Sequence, residues 1–183
     1  AFSVLTAFCL LAAYVFIGAS WLIYKTDGAL QRRAVGWARG ALMIGAAGMV
    51  AVSLATPLAS DRIFEKWFAF PEIILLAPLP LMTAGMFTAV WLLLRELPLE
   101  DDRWSWGPFV GGTAIFSLGF AGLAYSFYPY IVPEQLTIVD AASAPESLAI
   151  ILVGTLFVLP TIIGYSIFAY RVFGGKATAL TYD

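Results

Sequence analysis

The charged residues that border the apolar runs are the ones through which this chain could do chemistry. Asp140 stands in TIVDAAS, where a β-branched run breaks into small residues, Glu72 follows Pro71, and Arg39 sits just inside an apolar run. Ionisable groups at or near membrane depth mark ion and proton routes by default, because an unpaired charge in hydrocarbon is costly. Asp140 is the strongest of these candidates, with three tasks open to it: capping a re-entrant turn, pairing across a subunit boundary, or relaying a proton. All three residues also lie near predicted span ends, where capping or snorkelling to the headgroups accounts for them without further function. Asp140 belongs to the longest non-helical stretch, Phe127–Ser147, which also carries Glu134 and Glu146 and no Lys or Arg. Carboxylates crowded at a low-dielectric boundary resist ionisation unless they are paired or solvated. Glu146 has a local answer, since Ser143-Ala144-Pro145-Glu146 reads as a capping box. Glu134 can remain in water. Asp140 is expected to cap its own loop or to meet Arg62, Lys66 or a base on another subunit.

Several chemistries are excluded. The chain has no His and a single Cys, Cys9, inside an apolar run. His is the commonest metal ligand and the usual axial ligand of haem, so a transition-metal or haem site built by this chain alone is not expected. Met43, Met49, Met82 and Met86 are read as packing residues. Serines without any His make no nucleophile–base pair, and no Gly-rich phosphate loop is present. A net charge of −2 with no basic tract argues against nucleic acid as a partner.

The elements that must position these residues are membrane helices. The chain is 61% hydrophobic and 12% charged, against roughly 45–50% and about 25% in soluble domains. The excess comes in blocks long enough to cross a bilayer. The expected fold class is all-α: a polytopic integral membrane helical bundle, one transmembrane domain over 1–183 with spans at about 2–24, 34–58, 72–94, 108–128 and 146–173. Trp21 and Tyr24 are interface anchors for the first span, and residues 25–33 read as a polar link. Gly36-xxx-Gly40 is a small-xxx-small pattern suited to close helix packing. The link around Trp67, Phe68 and Phe70 suits a short interfacial helix. Pro78 and Pro80 predict a kink in the third span, and Pro160 frees the carbonyl of Leu156 in the fifth, where Thr155 or Thr161 is expected to compensate.

Lys and Arg fix the orientation. Lys25, Arg32, Arg33, Arg39, Arg95, Arg103, Arg171 and Lys176 fall on one side, and only Arg62 and Lys66 on the other. The richer side is expected to be cytoplasmic, the C-terminus with it, and Phe127–Ser147 faces outward. The chain begins at Ala1, directly in an apolar run without a signal-peptide layout, which reads as a piece of a longer protein. The kinked spans leave a transporter-like or lipid-binding membrane module as an alternative reading, although no charge falls at a predicted midplane.

Two stretches carry a family resemblance: GASWLIYKTDGALQRRA at Gly18–Ala34, and FYPYIVPEQLTIVDAASAPESLAIILVGTLFVLPTIIGYSIFAYRVFGGK at Phe127–Lys176. Both closely resemble subunit II of the cytochrome bd-type quinol oxidases, including the cyanide-insensitive branch. The resemblance extends over the chain and corresponds to the C-terminal portion of that subunit. It implies a bacterial inner-membrane enzyme that oxidises quinol, reduces oxygen to water and adds to the proton gradient. Subunit I then carries haems b and d and the quinol-oxidation site, and this chain is the non-haem partner, in contact with lipid, with no catalytic residue of its own and room for a structural quinone. The segment around Asp140 usually reads Trp-Asp in that family and here reads Val139-Asp140. Expressed alone in membranes, the chain is expected to show no Soret band above background; a stoichiometric haem signal that survives purification would overturn this reading.

Overall fold

In hydrocarbon every backbone N–H and C=O must find its partner within the protein, and long apolar runs therefore wind into helices. The computed structural model describes residues 2–59, 61–70, 72–99, 101–132 and 135–177. In chain order the elements are α1 (Phe2–Lys25), α2 (Gly28–Ala59), α3 (Asp61–Phe68), α4 (Glu72–Leu76), α5 (Pro78–Glu96), α6 (Gly107–Phe127), β1 (Tyr130–Val132), β2 (Leu136–Thr137) and α7 (Pro145–Val172). Among the described residues, five helices are long and apolar enough to cross a bilayer: α1, α2, α5, α6 and α7. The protein is an all-α, multi-pass membrane protein.

The chain forms two units, one running to Ser126 and taken up again from Lys176, the other Phe127–Gly175. In the first unit α1 and α2 pack along their length. Only Thr26 and Asp27 separate them, because Gly28 adopts φ +63°, a left-handed conformation that glycine enters without steric cost. The stretch 25–33, expected as a polar link, is thus mostly helix, and Arg32 and Arg33 ride on its first turns. The seam is built from small side chains. Ala12, Ala19 and Ser20 of α1 and Ala34, Ala38 and Ala41 of α2 are all buried. Small residues let backbones approach, and dispersion grows with proximity where lipid offers no hydrophobic gain. Val90 and Leu94 of α5, Leu97 beyond it, and Ile115 of α6 complete the core around Phe16 and Ile23. Gly112 of α6 makes the approach to α1 possible, since a Cβ there would lie 2.7 Å from the Phe16 ring.

The glycine pattern of α2 corrects one expectation. Gly36 and Gly40 are exposed, and a side chain at either would meet nothing within 4 Å. The internal seam runs instead through the Ala34–Ala38 row, on another face of the helix.

The expected third span, 72–94, is divided. Pro78 and Pro80 have no N–H to give, and α4 and α5 are separated at Ala77, which keeps helical dihedrals (φ −51°, ψ −36°) and still donates to Ile73 O (2.9 Å). The crossing helix is therefore Pro78–Glu96, and Glu72 opens a separate short helix. The link expected to hold a short interfacial helix does form a helix, α3, in which Phe64 and Phe68 stack with centroids 4.9 Å apart and Trp67 Nε1 donates to Ser126 Oγ (3.0 Å).

In the second unit β1 and β2 form an antiparallel hairpin that pairs Tyr130 with Thr137 and Val132 with Leu136. These strands were not anticipated within a stretch read as loop. Their β-branched content (Ile131, Val132, Thr137) is the available signal. α7 follows, with none of its residues buried. Ala144, not Ser143, is its N-cap, and no side chain caps it. The expected capping box is absent because Pro145 occupies the first turn, where a missing N–H costs nothing. Neither threonine rescues Leu156: Thr155 Oγ1 donates to Ile151 O and Thr161 Oγ1 to Phe157 O, both at 2.8 Å. A helical hydroxyl reaches the carbonyl four residues back, and Leu156 stands at that offset only from Pro160.

This arrangement sets a labelling test of the expected orientation. Gln31 is only 5% exposed and is a poor reporter, whereas Arg33 and Gln135 are exposed and have α2, α5 and α6 between them. Cysteines at Arg33 and Gln135 are expected to react with impermeant reagents from opposite sides, Arg33→Cys from the cytoplasm. Labelling of both from one side would refute the scheme.

Candidate functional site

The nominated residues are held locally, each by its own surroundings. Arg39 lies on α2 and faces the end of α5. Its Nε and Nη2 both donate to the carbonyl of Leu94, at 2.9 and 2.5 Å. The last carbonyls of a helix have no partner within it and carry the negative end of its dipole. The guanidinium answers both needs. Arg39 is thus committed to a protein carbonyl, where snorkelling to headgroups was expected.

Asp140 lies just beyond β2. Thr137 Oγ1 donates to its Oδ2 (2.6 Å), and its own N–H donates back to Thr137 Oγ1 (3.1 Å). Ala141 N–H reaches Thr137 O at 3.0 Å, so the side-chain pair closes a turn that the backbone also closes. Asp140 is exposed, Thr137 is half-buried, and the bond between them is open to solvent. Val139 beside Asp140 is 82% exposed. The side chains of Glu72, Arg62 and Lys66 lie outside the described residues, as does Glu134, so the expected pairing of Asp140 with Arg62 or Lys66 falls there too. Glu146 stands exposed in the first turn of α7.

A polar cluster that the sequence did not announce joins parts of the first unit far apart in the chain. Gln31 Nε2 donates to Ile23 O (3.1 Å) and to Asp102 Oδ1 (2.7 Å). Lys176 Nζ reaches Asp102 Oδ2 at 2.5 Å and also binds Asp27 Oδ1. Ala177 N–H donates to Lys25 O (2.7 Å). Asp102 adopts φ +51°, a left-handed conformation that Asp tolerates better than most residues. Burial pushes its carboxyl upward, but hydrogen bonds from Lys176 and Gln31 and the Lys176 charge outweigh it, and the carboxyl titrates below its ordinary value. Lys176 shows the mirror image. Burial works against its charge, the two carboxylates favour it more, and it titrates above its ordinary value. Next to the cluster Lys25 Nζ stands over Tyr24 (4.9 Å) and Trp21 (5.3 Å), a cation held at an aromatic belt. Each of these residues alone reads as a solvated charge or amide in a polar connection, and no spacing in the sequence links them.

Among the described residues no group of three or more His, Cys, Asp or Glu could hold a metal. Met49 and Met86 pack against the core, and Met43 and Met82 lie exposed on helix surfaces. The donor set does not fit a haem, which needs an axial ligand aimed into a pocket.

A family model described as cytochrome bd terminal oxidase subunit II matches residues 1–173. No curated protein matches the chain significantly.

The Asp140 geometry predicts a graded response. Asn can still accept the Thr137 hydroxyl, whereas Ala cannot. Asp140→Asn is expected to retain thermal stability in detergent, and Asp140→Ala to lose about 0.5–1 kcal/mol, the scale of one solvent-exposed hydrogen bond. A large loss in both variants would show that the charge itself is engaged.

Proposed function

Because the chain belongs to the cytochrome bd terminal oxidase subunit II family, we propose that it is the non-haem subunit of a quinol:oxygen oxidoreductase and packs against a haem-bearing subunit I. The family match carries this reading, since it spans every membrane-crossing helix and the hairpin between α6 and α7. Membership places the chain in an oxidase complex. The finer role rests on what the chain offers such a partner.

It has no His and no haem-compatible donor set, so the redox chemistry would belong to the partner. It does offer apolar surface. α7 runs for 28 residues with none buried, and a side chain at Gly36 or Gly40 of α2 would meet nothing within 4 Å. In lipid such surfaces associate through shape and dispersion. The work we assign to the chain is to cover the haem-bearing subunit and exclude lipid and water from it, in the bacterial inner membrane. Arg39 and Asp140 are assigned structural roles in this reading, the first closing the end of α5 and the second closing its own turn.

Affinity purification of the chain from native membranes tests the proposal. Haems b and d are expected to co-purify stoichiometrically and the preparation to consume oxygen with quinol. Gly154 and Gly164 of α7 face open space within the chain, with nothing within 4 Å of a Cβ. Gly154→Trp and Gly164→Trp should leave the chain's own insertion intact, and at least one should reduce haem recovery. A preparation free of haem would refute the oxidase reading. Full recovery in both variants would remove α7 from the contact surface.

A further inference from the structure

The charge cluster of the first unit does more than decorate an interface, because its four side chains come from separate parts of the chain. Asp27 lies in the α1–α2 turn, Gln31 in α2, Asp102 in the α5–α6 connection and Lys176 beyond α7. We propose that Lys176 is a latch, whose ammonium holds the α5–α6 connection down on the α1–α2 turn and closes this end of the bundle.

The charges explain why a latch is needed. Asp27 and Asp102 each place a carboxylate oxygen on the same nitrogen, so their two negative charges face each other across it. With the ammonium present the set carries two negative charges and one positive. Without it, two carboxylates stand within a few ångströms with no cation between them, and like charges at that range repel. Asp102 is the node of the connection: besides the bonds of its carboxylate to Lys176 and Gln31, its backbone O accepts from the N–H of Ser105 (3.3 Å), a 3% exposed residue, and its own N–H donates to Leu99 O (3.1 Å). Releasing Asp102 therefore loosens the turn from Leu99 to Ser105. Gln31, 5% exposed, would lose its Asp102 partner and be left with Ile23 O alone.

The bonds are also distributed as a latch requires. The Gln31–Ile23 bond and the apolar core around Ile23 and Leu94 stay within the packed helices. The bonds across to residue 102 are ionic or charge-assisted, and partly exposed: the Lys176 side chain is 21% exposed and that of Asp102 31%. They can break without disturbing the helices behind them. The shallow depression lined by Gly28, Gln31, Arg32, Pro98 and Leu99 lies along the same seam and is the place that would widen. Ala177 N–H, bonded to Lys25 O, keeps the latch segment in register.

Hydrogen exchange of the protein in the complex with which it purifies reads the latch directly and does not depend on oxidase activity. In Lys176→Met, amides of 97–106 and 25–31 are expected to exchange about fivefold faster, the factor that corresponds to a partly exposed ion pair, while α1 and α5 interiors stay unchanged. Adding Asp102→Asn to Lys176→Met removes the residual repulsion, and exchange should slow back toward wild type. Unchanged exchange in Lys176→Met would overturn the proposal. So would acceleration spread evenly through the first unit, or a double variant that exchanges faster than Lys176→Met.

Discussion

The carbonyl of Leu94 illustrates the constraint on which everything else in the structure depends: a backbone polar group that cannot reach water must be given a partner by the protein. It lies in the last turn of α5, where the helix has no N–H left to offer, and the partner comes from Arg39 of α2. The same constraint drives hydroxyls back onto their own helices, as Thr83 on Leu79, Thr113 on Phe109 and Ser117 on Thr113. At the end of α1 Thr26 Oγ1 is likewise returned to Leu22 O, at 2.7 Å. Where prolines remove donors in succession, at Pro78 and Pro80, the helix gives way and divides.

What the sequence made legible follows from which signals are local. Apolar run length is local, and five helices long and apolar enough to cross a bilayer stand among the described residues. Pairs of prolines are local, and so is the turn that closes on Asp140. The boundaries that moved did so for tertiary reasons. Gly28 opens α2 several residues before its apolar run begins, because its positive φ lets the chain reverse at once and Gln31 finds Ile23 O on the opposite helix. Gly36 and Gly40 looked like the packing seam by composition, yet the buried row is Ala34, Ala38 and Ala41. Small-residue spacing tells which face of a helix admits a close neighbour without telling which neighbour occupies it.

The charge cluster lay beyond sequence reasoning for a stronger reason. Lys176 and Asp27 are separated by 149 positions, and Gln31 and Asp102 by 71. No spacing rule links residues at such distances, and each residue alone reads as an ordinary solvated charge in a connection. Lys and Arg counts placed them on one side of the membrane. Only packing of the helices decides that they share one point on that side, and once they do, the attraction between Asp102 and Lys176 outweighs the desolvation of those two groups.

Polarity in the chain is therefore spent at helix ends, and this has a consequence for α7. Its residues between Pro145 and Val172 include no buried side chain, and its apolar surface is as comfortable in lipid as against another helix. Hydrophobicity cannot then select what covers it. What distinguishes its surface is shape: a Cβ at Gly154 or Gly164 would meet nothing within 4 Å among the described residues, and Pro160 has no N–H to give to Leu156. A straight, uniformly bulky helix of the same length would cross the membrane equally well and recognise nothing. The glycines and the proline weaken α7 as an isolated helix, and such a cost is consistent with a surface fitted to a particular neighbour.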